Sequence, residues 1–161
     1  MRTIRLACLA AAATLLAASA SPSDAQVGRL CPDPRRPCDG FKANDLSFVL
    51  PRDGVARDEV RSVHYFAVVL RSARHCGIGE AARLQAQRLF PGRKVFSQRF
   101  ECDDDVENNV HYSPVDTRVA FLAVYAGTTR RDADAVLAAV RRTGRYPGAY
   151  LRRLQTVFVY P

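Results

Sequence analysis

Residues 119–144, VAFLAVYAGTTRRDADAVLAAVRRTG, place a strand, a helix cap and a helix in immediate succession. The run begins with apolar and β-branched residues, as a buried strand does. Thr129 and Asp132 have the spacing of a capping box ahead of an amphipathic helix, and Gly144 stands where a helix commonly ends. This segment is the best-specified part of the chain.

A fainter copy of this segment occurs earlier in the chain. Residues 65–68 align with residues 121–124, and at the same offset Phe-Pro-Gly at 90–92 aligns with Tyr-Pro-Gly at 146–148. The repeat predicts two β-α-β halves, and hence the order βαββαβ over residues 63–161. The usual solution is an α+β, ferredoxin-like sandwich with one antiparallel sheet, two helices on one face and the other face open.

The first twenty residues have the features of an export signal. Arg2 and Arg5 precede an apolar run, and Ala18-Ser19-Ala20 puts small residues where a signal peptidase cleaves. We therefore predict a signal peptide over residues 1–20 and a periplasmic or secreted protein. No stretch approaches the roughly 20 apolar residues of a membrane-spanning helix, so no membrane span is expected.

The net charge of +8 favours anionic partners. Cell-wall polymer, a membrane surface and nucleic acid all carry such charge, and export makes nucleic acid the least expected of them. Residues 21–62 are rich in proline and are predicted to form an extended arm ahead of the domain.

Four cysteines remain once the predicted leader and Cys8 are removed, which in an exported chain indicates two disulfides. Three pairings are possible. The proline-stiffened loop between Cys31 and Cys38 loses little entropy on closing and favours the local pair, which leaves Cys76 with Cys102. A zinc site that combines these thiols with His75 is the alternative, without a Cys-x-x-Cys spacing behind it.

The repeat also predicts which side chains share a face. The aliphatic positions of residues 66–70 and 122–126 belong under the helices, so the alternate positions face the open side and include Tyr65, Phe121 and Tyr125. Aromatic rings beside small residues make a platform for a flat ligand. Alternatively, the arm covers this face through Leu46, Phe48 and Leu50.

The predicted order of elements and the run at residues 119–154 resemble a SPOR (sporulation-related repeat) domain, a bacterial module that binds peptidoglycan glycan strands stripped of their peptides. Ala126-Gly127-Thr128 occupies the position of the family's Val-Gly-Pro, and Leu70-Arg71-Ser72-Ala73 that of its Leu-Gly-Ser-Phe. The resemblance implies binding through the open face. The ligand residues would be Tyr65, Phe121 and Tyr125 for stacking, and Gln98, Arg99 and Gln155 for hydrogen bonds.

No catalytic constellation is recognisable. His64, His75 and His111 have no nucleophile in a known local signature, and the acidic loop at 102–117 lacks the spacing of an EF-hand. We expect no enzyme activity, cofactor or metal. The hypothesis is an exported cell-envelope module that binds cell-wall glycan through the open face. The alternative is a disulfide-stabilised domain that binds an envelope protein, with the face covered by its own arm.

Overall fold

The computed structural model describes residues 27–36, 38, 41, 43–51, 59–102 and 109–160. The predicted leader and residues 103–108 of the acidic loop lie outside these residues. The elements are β1 (Val27–Leu30), β2 (Phe48–Val49), β3 (Glu59–Ser62), β4 (Tyr65–Arg74), α1 (Glu80–Leu89), β5 (Val95–Ser97), β6 (Val110–Ser113), β7 (Val119–Gly127), α2 (Arg130–Arg142) and β8 (Tyr150–Val159).

The predicted fold class is wrong. Eight strands form a mixed, strongly curled half-barrel sheet in the order β2-β1-β3-β8-β4-β7-β5, with β6 paired to β8 outside this path. The pair β1 and β3 is parallel, whereas the other pairs are antiparallel. Three of the additional strands come from the predicted arm. They are two to four residues long, too short for a hydrophobic period to reveal them.

The length of β8 explains how the sheet grows beyond its centre. Its first half, Tyr150 to Leu154, pairs with β4. Its second half lies between β3, which pairs through Val157 to Val159, and β6, which pairs through Gln155 to Phe158. The register runs on from β4 (Tyr65 opposite Leu154) to β3 (Arg61 opposite Val157), so both lie along one edge of β8 and β6 takes the other edge.

Both helices pack on the outer face of the sheet, α2 against β4 and β7 and α1 against β5. The side chain of Thr129 accepts a hydrogen bond from the backbone N–H of Asp132 at 3.2 Å, which confirms the predicted cap of α2. Gly144 adopts φ +67°, the left-handed conformation that favours glycine after a helix. The core under the helices contains the aliphatic set assigned to it, including Val68, Leu70, Leu122, Val124 and Ala126.

Residues 43–49 join the two ends of the curled sheet. At the β5 end, Ser97 donates its backbone N–H to the carbonyl of Asn44 at 2.9 Å. The ammonium of Lys94 donates to the carbonyl of Ala43 at 2.8 Å. A few residues later, β2 pairs with β1 at the other end. This segment, which we call the strap, therefore closes the curl.

The strap covers a second core inside the curl. The buried members of this core are Leu46, Tyr65, Ala67, Val69, Phe96, Val110, Tyr112, Phe121, Ala123 and Leu154. Ring centroids of Phe96 lie 5.0 Å from Tyr112 and 5.9 Å from Phe121, within the range of favourable aromatic pairs. The hydroxyl of Tyr112 accepts a hydrogen bond from the backbone N–H of Leu46 at 2.9 Å. The strap is thus bound to the inner core by apolar contacts and by a buried hydrogen bond.

Both predicted disulfides are present. Cys31 and Cys38 have Cα atoms 6.2 Å apart, and Cys76 and Cys102 have Cα atoms 5.6 Å apart. The second bridge ties the turn after β4 to the segment after β5. Among the described residues, no helix has the length and apolar character needed to cross a membrane.

Replacement of Leu46 by alanine tests whether the strap belongs to the core. Leu46 is 0% exposed, so truncation leaves a cavity and should lower the free energy of unfolding by about 2–5 kcal/mol. Val49→Ala, at a strap position that is 50% exposed, should cost less than about 1 kcal/mol. Urea unfolding followed by circular dichroism measures both. Equal, small losses would show that the strap is not part of the folded core.

Candidate functional site

The aromatic face predicted to be open is filled by the chain itself. Tyr65 and Phe121 lie on the face away from the helices, as the repeat predicts, but they are only 0% and 2% exposed. The hydroxyl of Tyr65 lies 3.0 Å from that of Thr156, in a buried hydrogen bond. Neither ring offers a surface to a ligand in this conformation.

Gln98 is likewise used inside the protein. Its side-chain nitrogen donates to the carbonyls of Asp116 and Val119, at 2.8 and 2.6 Å, and its side-chain oxygen accepts from the backbone N–H of Tyr112 at 3.1 Å. A buried amide with such partners holds the approach to β7 against β6. The residue type suggested a ligand donor, whereas the structure gives it an internal role.

Arg99 and Gln155 also donate to backbone carbonyls. A guanidinium nitrogen of Arg99, which is buried, donates to Ile78 at 3.0 Å. The side-chain amide of Gln155 donates to Ser62 at 3.0 Å. Gln98 and Arg99 follow the end of β5 at Ser97, so strand alternation could not predict where they point.

Tyr125 is half-buried and lines a cavity. Its ring contacts Tyr65, with centroids 5.7 Å apart, on one side. On the other side it borders a cavity of about 240 Å³ whose remaining lining residues are Pro32, Asp33, Gly92 and Arg93. Burial raises the pKa of the Tyr125 hydroxyl, and the nearby Arg93 guanidinium opposes that rise.

A second cavity, of about 330 Å³, shares Gly92 and Arg93 with the first. Its other lining residues are Phe90, Ala135, Val136 and Ala139. We call the two cavities together the Arg93 cleft. The cleft thus has an apolar half beside α2 and a polar, aromatic half beside Tyr125, with Arg93 belonging to both.

The turn that presents Arg93 is one of the two aligned motifs of the repeat. Pro91 and Gly92 follow the end of α1 at Leu89, because proline does not continue a helix. The ring of Phe90 then packs toward Tyr146 of the matching motif, with centroids 6.5 Å apart. The repeated Phe-Pro-Gly motif was the sequence signal nearest to the cleft. The assignment of strand residues to faces did not include Arg93, which lies between the end of α1 and the start of β5.

The side chains of the cleft offer contacts for a bound group. Arg93 offers a planar set of N–H donors suited to a carboxylate, beside the apolar side chains of Phe90 and Val136. The three histidines lie elsewhere. His111, for example, packs on Phe100 with ring centroids 5.4 Å apart, and burial lowers its pKa.

No protein-family model, curated protein or solved structure matches this chain. The resemblance to the SPOR family remains a hypothesis.

The buried tyrosines of the inner core predict a loss of stability at alkaline pH. Burial raises the pKa values of Tyr65 and Tyr112, so both stay protonated in the folded state where the unfolded chain would release the protons. Stability should therefore be level below about pH 10 and fall above it. Each buried hydroxyl should contribute up to about 1.4 kcal/mol per pH unit to this fall.

Tyr65→Phe and Tyr112→Phe separate these contributions. Each variant should reduce the alkaline slope of the unfolding free energy by one such contribution, and the double variant by both. Urea titrations at a series of pH values, with all disulfides intact, provide the slopes. Variants whose curves run parallel to the wild type would show that these hydroxyls are not protected from ionisation.

Proposed function

We propose that the protein is a non-catalytic binding domain of the cell envelope whose Arg93 cleft binds an acidic segment of another envelope protein. The observation that carries this proposal is the strap. Leu46 and Phe48 are fully buried, and the aromatic face that a flat ligand would use is filled from within the chain. A ligand must therefore bind elsewhere, and the Arg93 cleft combines apolar and cationic contacts.

An exported location supports the proposal. Disulfides form and persist in oxidising compartments, and two are present within the described residues. The predicted leader would direct the chain there as a periplasmic or secreted protein.

The charge of the protein supports an acidic partner. The chain has a net charge of +8, and 22 − 16 = +6 remains once Arg2 and Arg5 leave with the predicted leader. Such a charge attracts anionic surfaces and increases the rate at which they associate. At the cleft, Arg93 would pair with one carboxylate of the partner. Phe90, Val136 and Ala139 would contact an adjacent apolar side chain.

A second candidate function, glycan binding, is favoured by the polar half of the cleft. Tyr125, an aromatic residue of the predicted ligand set, lines this half together with Asp33 and Arg93. An aromatic ring next to hydrogen-bonding groups suits one sugar ring of a cell-wall glycan. This candidate retains the ligand that the SPOR resemblance implies and moves its site from the sheet face to the cleft.

Photo-crosslinking in the native cell envelope tests the protein partner. A photoreactive phenylalanine analogue at Ala135, which lines the cleft, should give a discrete crosslinked protein. The same analogue at Ala138, exposed on α2 but outside the cleft lining, is the matched control and should not. Identical products at both positions, or none at Ala135, would contradict the proposal.

Charge substitutions add a second control to this experiment. Arg93→Gln removes the charge-assisted bond and should lower the Ala135 crosslink by about tenfold or more. Arg88→Gln makes the same change of charge at an exposed position at the end of α1 and should leave the crosslink in place. Equal losses in both variants would indicate attraction by net charge instead of recognition at the cleft.

Co-sedimentation with cell-wall sacculi tests the glycan candidate. Binding that resists moderate salt, increases after the stem peptides are removed and disappears in Tyr125→Ala would support glycan recognition in the cleft. Binding that vanishes with salt and is unchanged by Tyr125→Ala would exclude it and leave the protein partner.

A further inference from the structure

The turn after β4 brings a histidine and two cysteines together. His75 and Cys76 directly follow β4, and Cys102 follows β5. One potential ligand atom from each side chain lies within 4.8 Å of the other two. His75 and Cys76 are exposed and Cys102 is buried, so the group lies at the surface with one anchored member.

The imidazole of His75 is oriented by the backbone. Its Nε2 lies 2.8 Å from the carbonyl oxygen of Phe100. A carbonyl only accepts, so Nε2 is the donor, and in the neutral ring Nδ1 then keeps the lone pair. A hydrogen bond from one ring nitrogen to a carbonyl is the arrangement that orients metal-binding histidines and fixes their tautomer.

We propose that reduction of the Cys76–Cys102 disulfide converts this group into a binding site for one Zn²⁺ ion. The ligands are Nδ1 of His75 and the sulfurs of Cys76 and Cys102, with water completing a tetrahedral set. Thiolate and imidazole are the ligands that zinc prefers, whereas calcium and magnesium require oxygen. The site is independent of the Arg93 cleft and shares no lining residue with it.

The redox step needs a dithiol reductant. The reductant supplies two electrons and two protons, the bond between the sulfurs of Cys76 and Cys102 breaks, and two thiols form while the reductant becomes a disulfide. Zn²⁺ then binds the sulfurs as thiolates, and the two thiol protons pass to solvent. The oxidised protein cannot bind the ion in this way because its sulfurs are bonded to each other.

The backbone geometry is compatible with both states. The Cα atoms of Cys76 and Cys102 are 5.6 Å apart, and bonds of about 2.3 Å from zinc to sulfur require the sulfurs to separate by side-chain rotation. Cys76 is exposed and can rotate toward solvent, while Cys102 stays anchored. His75 is adjacent to Cys76 in the chain, and the hydrogen bond from Nε2 to Phe100 leaves Nδ1 for the ion.

Cobalt absorption provides a direct test, because Co²⁺ occupies zinc sites and reports thiolate ligands. In a Cys8→Ser, Cys31→Ser, Cys38→Ser protein, Cys76 and Cys102 are the remaining thiols. After reduction, Co²⁺ should bind once per chain, with a thiolate charge-transfer band and the visible bands of a tetrahedral ion, and Zn²⁺ should displace it. The oxidised protein should show neither band.

His75→Ala separates a built site from two thiols that merely meet a metal. It should weaken Co²⁺ binding by at least about tenfold, the loss that removal of even an outer-shell partner causes. Cys76→Ser and Cys102→Ser should each abolish the charge-transfer band or reduce it by about half. The same loss of Co²⁺ affinity should follow when His75→Ala is made in the chain that keeps all of its cysteines and both proteins are fully reduced. Circular dichroism should confirm that every variant is folded.

Three results would each overturn the proposal. They are an unchanged Co²⁺ affinity in His75→Ala, no tetrahedral Co²⁺ spectrum in the folded, reduced protein, and equal Co²⁺ binding by the oxidised protein. None of these readouts depends on the partner of the Arg93 cleft. Failure of the metal site would therefore leave the proposed binding function untouched, and failure of the crosslinking experiment would leave the metal site.

Discussion

Closure of the curled sheet by the strap is the constraint on which the rest of this structure depends. A half-barrel has a concave face, and its aromatic residues must be covered by water, by a ligand or by protein. Here Leu46 enters that face while its backbone N–H donates to the hydroxyl of Tyr112, so that apolar burial and a polar bond act at one residue. The consequence for the proposed function is that this aromatic surface becomes core, and the proposed ligand site lies at its margin, at Tyr125.

Buried polar side chains hold parts of the fold together through hydrogen bonds to backbone groups. Lys94 illustrates this, because burial lowers the pKa of its ammonium, with Arg83 adding to the effect, and the same group donates to the strap carbonyl of Ala43. Gln98 satisfies three backbone groups that would otherwise be buried without partners. An unpaired buried polar group costs about 1–3 kcal/mol, so such residues are kept for reasons unrelated to any ligand. Residue type alone is therefore a poor guide to a binding role in this chain.

The two regions assigned a chemistry differ in what they would recognise. The Arg93 cleft combines one guanidinium with apolar and aromatic walls, which suits an extended acidic segment and, in its polar half, a sugar. The His75 group offers soft ligands that are available only after a disulfide is reduced. A protein with both would bind a partner through one surface and respond to the redox state of its compartment through the other.

The sequence by itself determined the local features. The cap of α2, the buried runs of β4 and β7, the faces of their side chains and the two disulfide pairs depend on hydrogen bonds and periodicities within a few residues, or on a count of cysteines. Tertiary structure alone decided that β3 and β6 pair with the second half of β8 and that the strap closes the curl. It also decided that Gln98 and Arg99 are buried and that Gln155 bonds to the backbone of Ser62. Strands of two to four residues carry too little pattern of their own, and their pairing is set by partners distant in the chain. The repeat therefore predicted the strands and helices of its two halves, β4, α1, β5, β7, α2 and β8. The pairing of strands distant in the chain made the whole a curled, mixed sheet.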